Sequence, residues 1–300
     1  MFAAFGHHKA ATMWVHGICA QVCLELGLKF GTVFKANEFD GDLKRYVSNG
    51  RIDFLLYGNA DFKHVQCLPP EKLRAFHYVR DPRDVVASAY FSHRNSHSTD
   101  AWPELVEYRE KLRACSKEQG MFLELDFRAE QFDQMRSWKG CLDDESIRFY
   151  RIEDIIADPY RSFLEIFGFL GLLDEEYYSP SERLRFLLAK ASFKLENSMG
   201  GSVHLPRGLK ALPAERLLGV VYERDFSKLS GGRQKGQSDT TSHYRRGVHG
   251  DWVNHFSAEH LRYFKERYGD LVLQYGYESD PDWDSKYLDK LSLATKSSED

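Results

Sequence analysis

The chain has 300 residues, 42% of them hydrophobic, and a formal net charge of -4. That length allows a sizeable α/β core, and the acidic balance argues against a general nucleic-acid binder. Five cysteines (Cys19, Cys23, Cys67, Cys115 and Cys141) are odd in number and scattered, which points to reduced thiols and excludes a disulfide framework.

From the amino terminus, Phe5-Gly6-His7-His8-Lys9-Ala10-Ala11-Thr12-Met13-Trp14 reads as strand, tight loop and helix, with apolar positions at helical spacing from Val15 to Leu26. A loop whose backbone N–H groups open into a helix amino terminus cradles anions, and Lys9 and Thr12 add a point charge and a hydroxyl. The Walker pattern is absent, since the run of glycines and the Gly-Lys-Ser/Thr ending are missing. Taken alone, the loop favours an ordinary surface lysine. Cys19 and Cys23 share a helical face, but without a second ligand pair they read as core, and no metal site is expected.

Ala75 to Val79 reads as a buried strand that stops near Arg80, because Pro82 cannot donate within a sheet; a helix is expected from Asp84. Arg80 then stands at the carboxyl end of a strand and Ser88 one turn into the next helix, where open α/β sheets bind ligands. A guanidinium fork and a hydroxyl suit a phosphate; the alternative is a surface or ion-paired arginine. Between His93 and Cys141 the pattern turns helical, with an amphipathic helix from Trp102 to Ser116 and helix-rich sequence from Met121 to Trp138. This stretch reads as an excursion from the sheet, either a surface helical pair or a substrate cap lined by His93, His97 and Trp102.

Ile147 to Pro159 reads as a strand running into a turn, and Tyr160 to Leu170 as a helix packed on the sheet. Ser230 to Ser242 is rich in Gly, Ser, Thr and Gln and reads as a mobile loop. It leads into His243-Tyr244-Arg245-Arg246-Gly247-Val248-His249-Gly250-Asp251-Trp252, either a solvated basic turn or a lid that orders around an anion, and then a helix from Ser257 to Tyr268.

Taken in order, these motifs resemble a soluble sulfotransferase that uses 3′-phosphoadenosine 5′-phosphosulfate (PAPS), over residues near 5 to near 256. The resemblance implies an α/β, P-loop-like three-layer fold, a central parallel sheet flanked by helices with an inserted helical cap. His8 to Trp14 corresponds to the family's Pro-Lys-Ser-Gly-Thr-Thr-Trp phosphosulfate loop, so the resemblance implies cofactor contacts from Lys9, Ala10, Ala11, Thr12, Met13 and Trp14. It assigns Lys9 to the bridging and sulfuryl oxygens. Arg80 and Ser88 match the pair that holds the 3′-phosphate, Arg245, Arg246 and Gly247 the segment that closes on it, and Phe193 the aromatic that stacks on adenine. The product implied is 3′-phosphoadenosine 5′-phosphate (PAP).

Three departures bear on chemistry. Ala11 replaces the loop glycine, so its backbone must avoid positive φ or bear strain. Met13 removes a hydroxyl donor. Asn59 stands where relatives carry the histidine base, and Asn cannot accept a proton at neutral pH. Asp61 and His64 follow in the same loop and are the catalytic-base candidates, a histidine titrating nearer the operating pH; His7, His8, His93, or no protein base are the alternatives.

The resulting expectation is sulfuryl transfer to a hydroxyl or amine of a small-molecule acceptor. A noncatalytic phosphoadenosine binder and a nucleotide or small-molecule kinase are the other readings. A single domain is expected over 1–280, with a helical insertion at about 94–141, a mobile loop at about 228–245 and a charged, frayed tail over 281–300. No apolar run reaches membrane-spanning length and Met1 to Phe5 is too short for a secretory signal, so a cytoplasmic protein with no membrane or nucleic-acid partner is expected. The family's short dimer motif is not evident between Val248 and Glu266, which leaves the oligomeric state open.

Overall fold

A computed structural model describes residues 1–100, 102–141, 145–174, 210–229, 231–234 and 248–296, with residues 184, 187, 188, 191 and 195 between them. The chain divides into two compact units: Met1–Gly6, Ala11–Tyr78 and Gly140–Asp225 form the first, and His7–Ala10, Val79–Lys139 and Phe226–Asp300 the second.

The first unit is built on a five-stranded sheet. Its strands are β1 (Phe2–Phe5), β2 (Phe30–Val33), β3 (Phe54–Tyr57), β4 (Arg74–Val79, whose last residue enters the second unit) and β5 (Ile147–Arg151), in the order β2-β3-β1-β4-β5. β1 pairs in parallel with β3 and β4, and β3 with β2, so Ala3 and Ala4 lie mid-sheet between Leu55–Leu56 and Ala75–Phe76. Strands buried on both faces need continuous apolar runs, and Phe54–Tyr57 is buried at every position. Parallel pairing demands crossovers, supplied after β1 by helix α1 (Thr12–Leu26) and after β2 by α2 (Leu43–Gly50). Gly27 ends α1 with φ 71°, returning its N–H to the carbonyls of Cys23 and Leu24. Gly6, just past β1, has no room for a side chain: an added Cβ falls 2.3 Å from the Tyr78 ring. The expected turn after β5 is a short helix, Ile152–Ala157, followed by the expected helix at Pro159–Phe169.

In the second unit, helix α4 (Pro82–Phe91) starts two residues earlier than the sequence predicts. Asp81 caps it by accepting from the Arg83 N–H, and Pro82 occupies the first turn, where its missing donor costs nothing. A π-turn, Ser92–Ser96, follows directly, and α5 (Glu104–Ala114), α6 (Lys117–Phe127) and α7 (Ala129–Arg136) form the helical excursion. α6 begins with a reciprocal cap between Ser116 and Gln119.

Arg83 is buried, ion-paired at 2.7 Å with both Asp81 and Glu278, and covered by the rings of Trp252 and Trp283, 4.5 and 4.9 Å from its guanidinium carbon. Glu278 also accepts from Lys286 and Tyr287, at 2.6 and 3.0 Å. Much of the tail expected to fray is therefore helix, Ser285–Lys296, because the buried Arg83–Glu278 pair gives its first turn something to hold. A helix also covers Ala258–Gln274, longer than the sequence pattern predicts. Among the described residues no helix is long and apolar enough to cross a membrane.

Ala11 occupies the left-handed region, at φ 54° and ψ 31°. The strained alternative is the one the chain adopts, so the loop keeps a glycine's conformation without the glycine. A left-handed alanine costs about 1–2 kcal/mol, and glycine's greater freedom in the unfolded chain returns part of that. Ala11→Gly should therefore raise stability by about 0.5–1 kcal/mol in urea unfolding; a loss of stability would contradict the strain.

Candidate active site

His7–Ala10 belong to the second unit, and there they meet the π-turn and the helical excursion. Lys9 is half-buried, has φ 66°, and accepts at its carbonyl from Arg80 Nη1 at 3.2 Å. Arg80 stands at the end of β4, as the sequence predicts, and is also half-buried; Ser88 lies on α4. Asp84 on α4 is buried and accepts from the N–H groups of Gly250 and Trp252, at 2.6 and 3.0 Å. Burial pushes its carboxyl up, while Arg80 and those two N–H groups pull against this. The carboxylate thus anchors the chain just after Gly247. Arg245, Arg246, Gly247 and Phe193 lie outside the described residues, as does most of the expected mobile loop.

Beside Lys9 stands a group of aromatic and titratable side chains. His93 is fully buried and shares a 3.0 Å hydrogen bond from Nδ1 to Glu124 on α6, also fully buried. Glu124 accepts from the Tyr108 hydroxyl at 3.1 Å and is ion-paired with Arg128 at 2.9 Å, one helical turn on. Arg128 in turn donates from Nη1 to Nδ1 of His8 at 2.6 Å. His8 stacks on His93 at 5.4 Å, and His97 lies 5.4 Å from His8 and 5.6 Å from His93 between ring centroids. Trp102 and Phe127 stack at 5.5 Å and close the group. Arg109 holds the π-turn by donating to the carbonyls of His93, at 2.7 Å, and His97.

The charge states follow from this packing. Burial opposes ionisation of Glu124, but His93, Arg128 and Tyr108 outweigh it and hold the carboxyl below its usual range. Burial lowers His93; Glu124 pulls it up, but Arg128 and Lys9 add to the lowering. Burial, then Arg128, His93 and Lys9, hold His8 well below the ordinary histidine range. At neutral pH Glu124 is therefore ionised against Arg128, and His93 is neutral with its proton on Nδ1 facing the carboxylate. Its other nitrogen, Nε2, is buried with no hydrogen-bond partner. A neutral imidazole fixed in one tautomer with a bare lone pair has the form that a proton acceptor needs.

The remaining predicted residues lie in the first unit or on its border. Ala10 is buried in the second unit, its N–H bonded to the His7 carbonyl. Ala11, at the amino-terminal cap of α1, supplies no side-chain cap, and its carbonyl accepts from the N–H groups of Trp14 and Val15, at 2.9 and 3.2 Å. Thr12 lies beside the buried Tyr78 hydroxyl, and Met13 is half exposed. Trp14 donates to the Arg224 carbonyl at 2.9 Å and meets Phe163 edge-on at 5.3 Å. Asp61 caps the short helix α3 (Phe62–Val65), accepting from the Lys63 N–H and pairing with Lys63 Nζ at 2.7 Å. His64 lies in the same helix with its ring against Phe39. Both base candidates thus have local structural roles. Glu124 and Arg128 were not singled out in the sequence; the legible signal is their four-residue spacing on one helix.

Residues 64–198 match the family model for the sulfotransferase domain. That span, under half of the chain, is similar to a sulfotransferase domain. The matched span of that domain includes Arg80, Ser88 and the helical excursion, and begins after the Lys9 loop. Human sulfotransferase 2A1 is 26% identical over 209 residues, 67% of this chain and 58% of that protein. The guinea pig (Cavia porcellus) 3-alpha-hydroxysteroid sulfotransferase is 23% identical over 205 residues, 68% of this chain and 58% of that protein. The chain thus spans less than two thirds of the length of these curated relatives. The crystal structure of mouse sulfotransferase SULT7A1 complexed with PAP is similar in fold, with a TM-score of 0.52 at 16% identity, covering 90% of this chain and 84% of that one. The chain therefore has the fold that the sequence motifs imply.

A pH dependence follows. His8 and His93 stay neutral in the folded domain below the pH at which unfolded histidine, near 6.5, takes a proton. The unfolded state then binds more protons, so their contribution is fully present above about pH 6.5 and is lost as pH falls toward their lowered folded values. Glu124 has the same sign, its contribution being lost below the ordinary carboxyl range. The thermal midpoint should fall between about pH 7 and pH 5, and His93→Gln should flatten that fall. An unchanged slope in the variant would exclude a buried neutral His93.

Proposed function

We propose that this chain moves a sulfuryl group from PAPS to a hydroxyl or amine of a small-molecule acceptor, leaving PAP. The observation that carries this reading is the grouping of Lys9, Arg80 and the Glu124–His93 pair in one unit. When bound, the donor supplies the transferable group and a leaving phosphate; the protein's part is to position and to neutralise charge.

Each residue has one task. Lys9 neutralises negative charge that builds on the leaving oxygen. Arg80, held to the carbonyl of Lys9, and Ser88 take the 3′-phosphate, with Arg245, Arg246, Gly247 and Phe193 completing the nucleotide site. The uncapped first turn of α1 and the Thr12 hydroxyl serve the 5′ side, and Ala10, Met13 and Trp14 complete that loop. His93 accepts the acceptor's proton at Nε2, and Glu124 stabilises the imidazolium that forms. His93 is preferred here to Asp61 and His64 because helix capping and packing account for the positions of those two. Trp102, Tyr108, Phe127 and His97 line the acceptor side, where an aromatic wall suits a flat or apolar molecule. A cytoplasmic location is consistent with this cosubstrate.

The reading is tested with the donor pair. PAP should raise the thermal midpoint more than ATP at equal concentration, because a ligand of the folded state stabilises it by mass action. Arg80→Ala should weaken PAP binding, whereas Lys9→Ala should lower single-turnover transfer from saturating radiolabelled PAPS about 100- to 1,000-fold with smaller loss of binding. Preference for ATP, or near-normal transfer by the lysine variant, would contradict the assignment.

A further inference from the structure

We propose that His8, His93 and His97 form a binding site for one borderline transition-metal ion such as Zn²⁺, Co²⁺ or Ni²⁺. One ring nitrogen from each of the three lies within 4.8 Å of the other two, all inside the second unit. An ion bound tetrahedrally at about 2.0–2.1 Å brings such nitrogens to about 3.4 Å apart, so closure needs movements of about 1 Å. His8 and His97 are less enclosed than His93, whose Nδ1 is held by Glu124.

The independent sign of a ligand is at His93. Its ring is fully buried, Nδ1 is held by Glu124, and Nε2 is buried without a partner. A carboxylate behind a histidine is the arrangement that orients an imidazole toward a metal and strengthens it as a donor. His93 and His97 are four residues apart on a π-turn whose carbonyls Arg109 clamps, so the pair is presented on a braced segment. His8 comes from the Lys9 loop. Its lone pair at Nδ1 now accepts from Arg128, and ligation requires the ring to swing that lone pair from the guanidinium to the ion. The positive charges of Lys9 and Arg128 oppose a cation and Glu124 offsets one of them; the donors of this cluster, three imidazole nitrogens, favour zinc-type ions. Three histidines leave a fourth position for water or an anion.

The ion and the proposed proton transfer compete for the same His93 lone pair, so metal loading blocks the base. The inference otherwise stands apart from the transfer reading, because its test reads binding. The full chain, stripped with chelator, is titrated with Co²⁺ by visible absorption and with Zn²⁺ by calorimetry. One ion per chain with the intense bands of tetrahedral cobalt is expected. His97→Ala and the size-conserving His97→Gln should both abolish those bands and weaken binding at least tenfold, and His64→Ala should leave it unchanged. Glu124→Gln should cost about 10–100-fold in affinity. No saturable binding, or binding that survives both His97 variants, overturns the site. Metal binding without sulfuryl transfer would leave the site standing and remove the reaction; transfer without metal binding would do the reverse.

Discussion

The second unit depends on one buried carboxylate. Glu124 is fully enclosed, yet three groups converge on it: the Arg128 guanidinium, His93 Nδ1 and the Tyr108 hydroxyl. Removing a carboxylate from such a cluster leaves an uncompensated buried cation, a loss of about 3–5 kcal/mol in comparable pairs. Remove its charge and His93 loses its tautomer, Arg128 its partner, and His8 the guanidinium that positions it. Because His8 neighbours Lys9 in sequence, the same carboxylate governs the setting of the proposed sulfuryl-binding lysine. A second carboxylate, Asp84, performs the matching task for the chain just after Gly247.

Much of this architecture was legible in the sequence, for reasons that can be named. Pro82 and the apolar run before it fixed the end of β4 and so the place of Arg80. The strand, loop and helix at the amino terminus, and the helices over 104–114 and 159–169, followed from apolar periodicity. What sequence reading missed depends on contacts between distant segments. The carboxyl-terminal helix looked like a charged tail because its stabilising partner, the Arg83–Glu278 pair, is buried elsewhere in the chain order. Glu124 and Arg128 carry no signal in the sequence beyond their four-residue spacing, and only folding shows that they are enclosed.

The base proposed at His93 sits on a different segment from Asn59. A base needs a bare lone pair near the reacting oxygen and a partner for the charge it acquires; the chain position that supplies them is free to vary. In the proposed site the helical excursion after β4 would supply both, on the π-turn and on α6. π-Turns recur at functional sites because the extra residue re-aims side chains that a regular helix would point elsewhere. The left-handed alanine at residue 11 belongs to the same pattern, with local strain retained in the loop that carries Lys9.

The protonation of His93 tests the account most directly. With ¹⁵N-labelled histidine and His93→Gln for assignment, a long-range ¹H–¹⁵N correlation spectrum at about pH 7 distinguishes the two neutral tautomers from imidazolium. The account predicts a proton on Nδ1 and a pyridine-like Nε2. A proton on Nε2, in either the neutral or the charged ring, would contradict it.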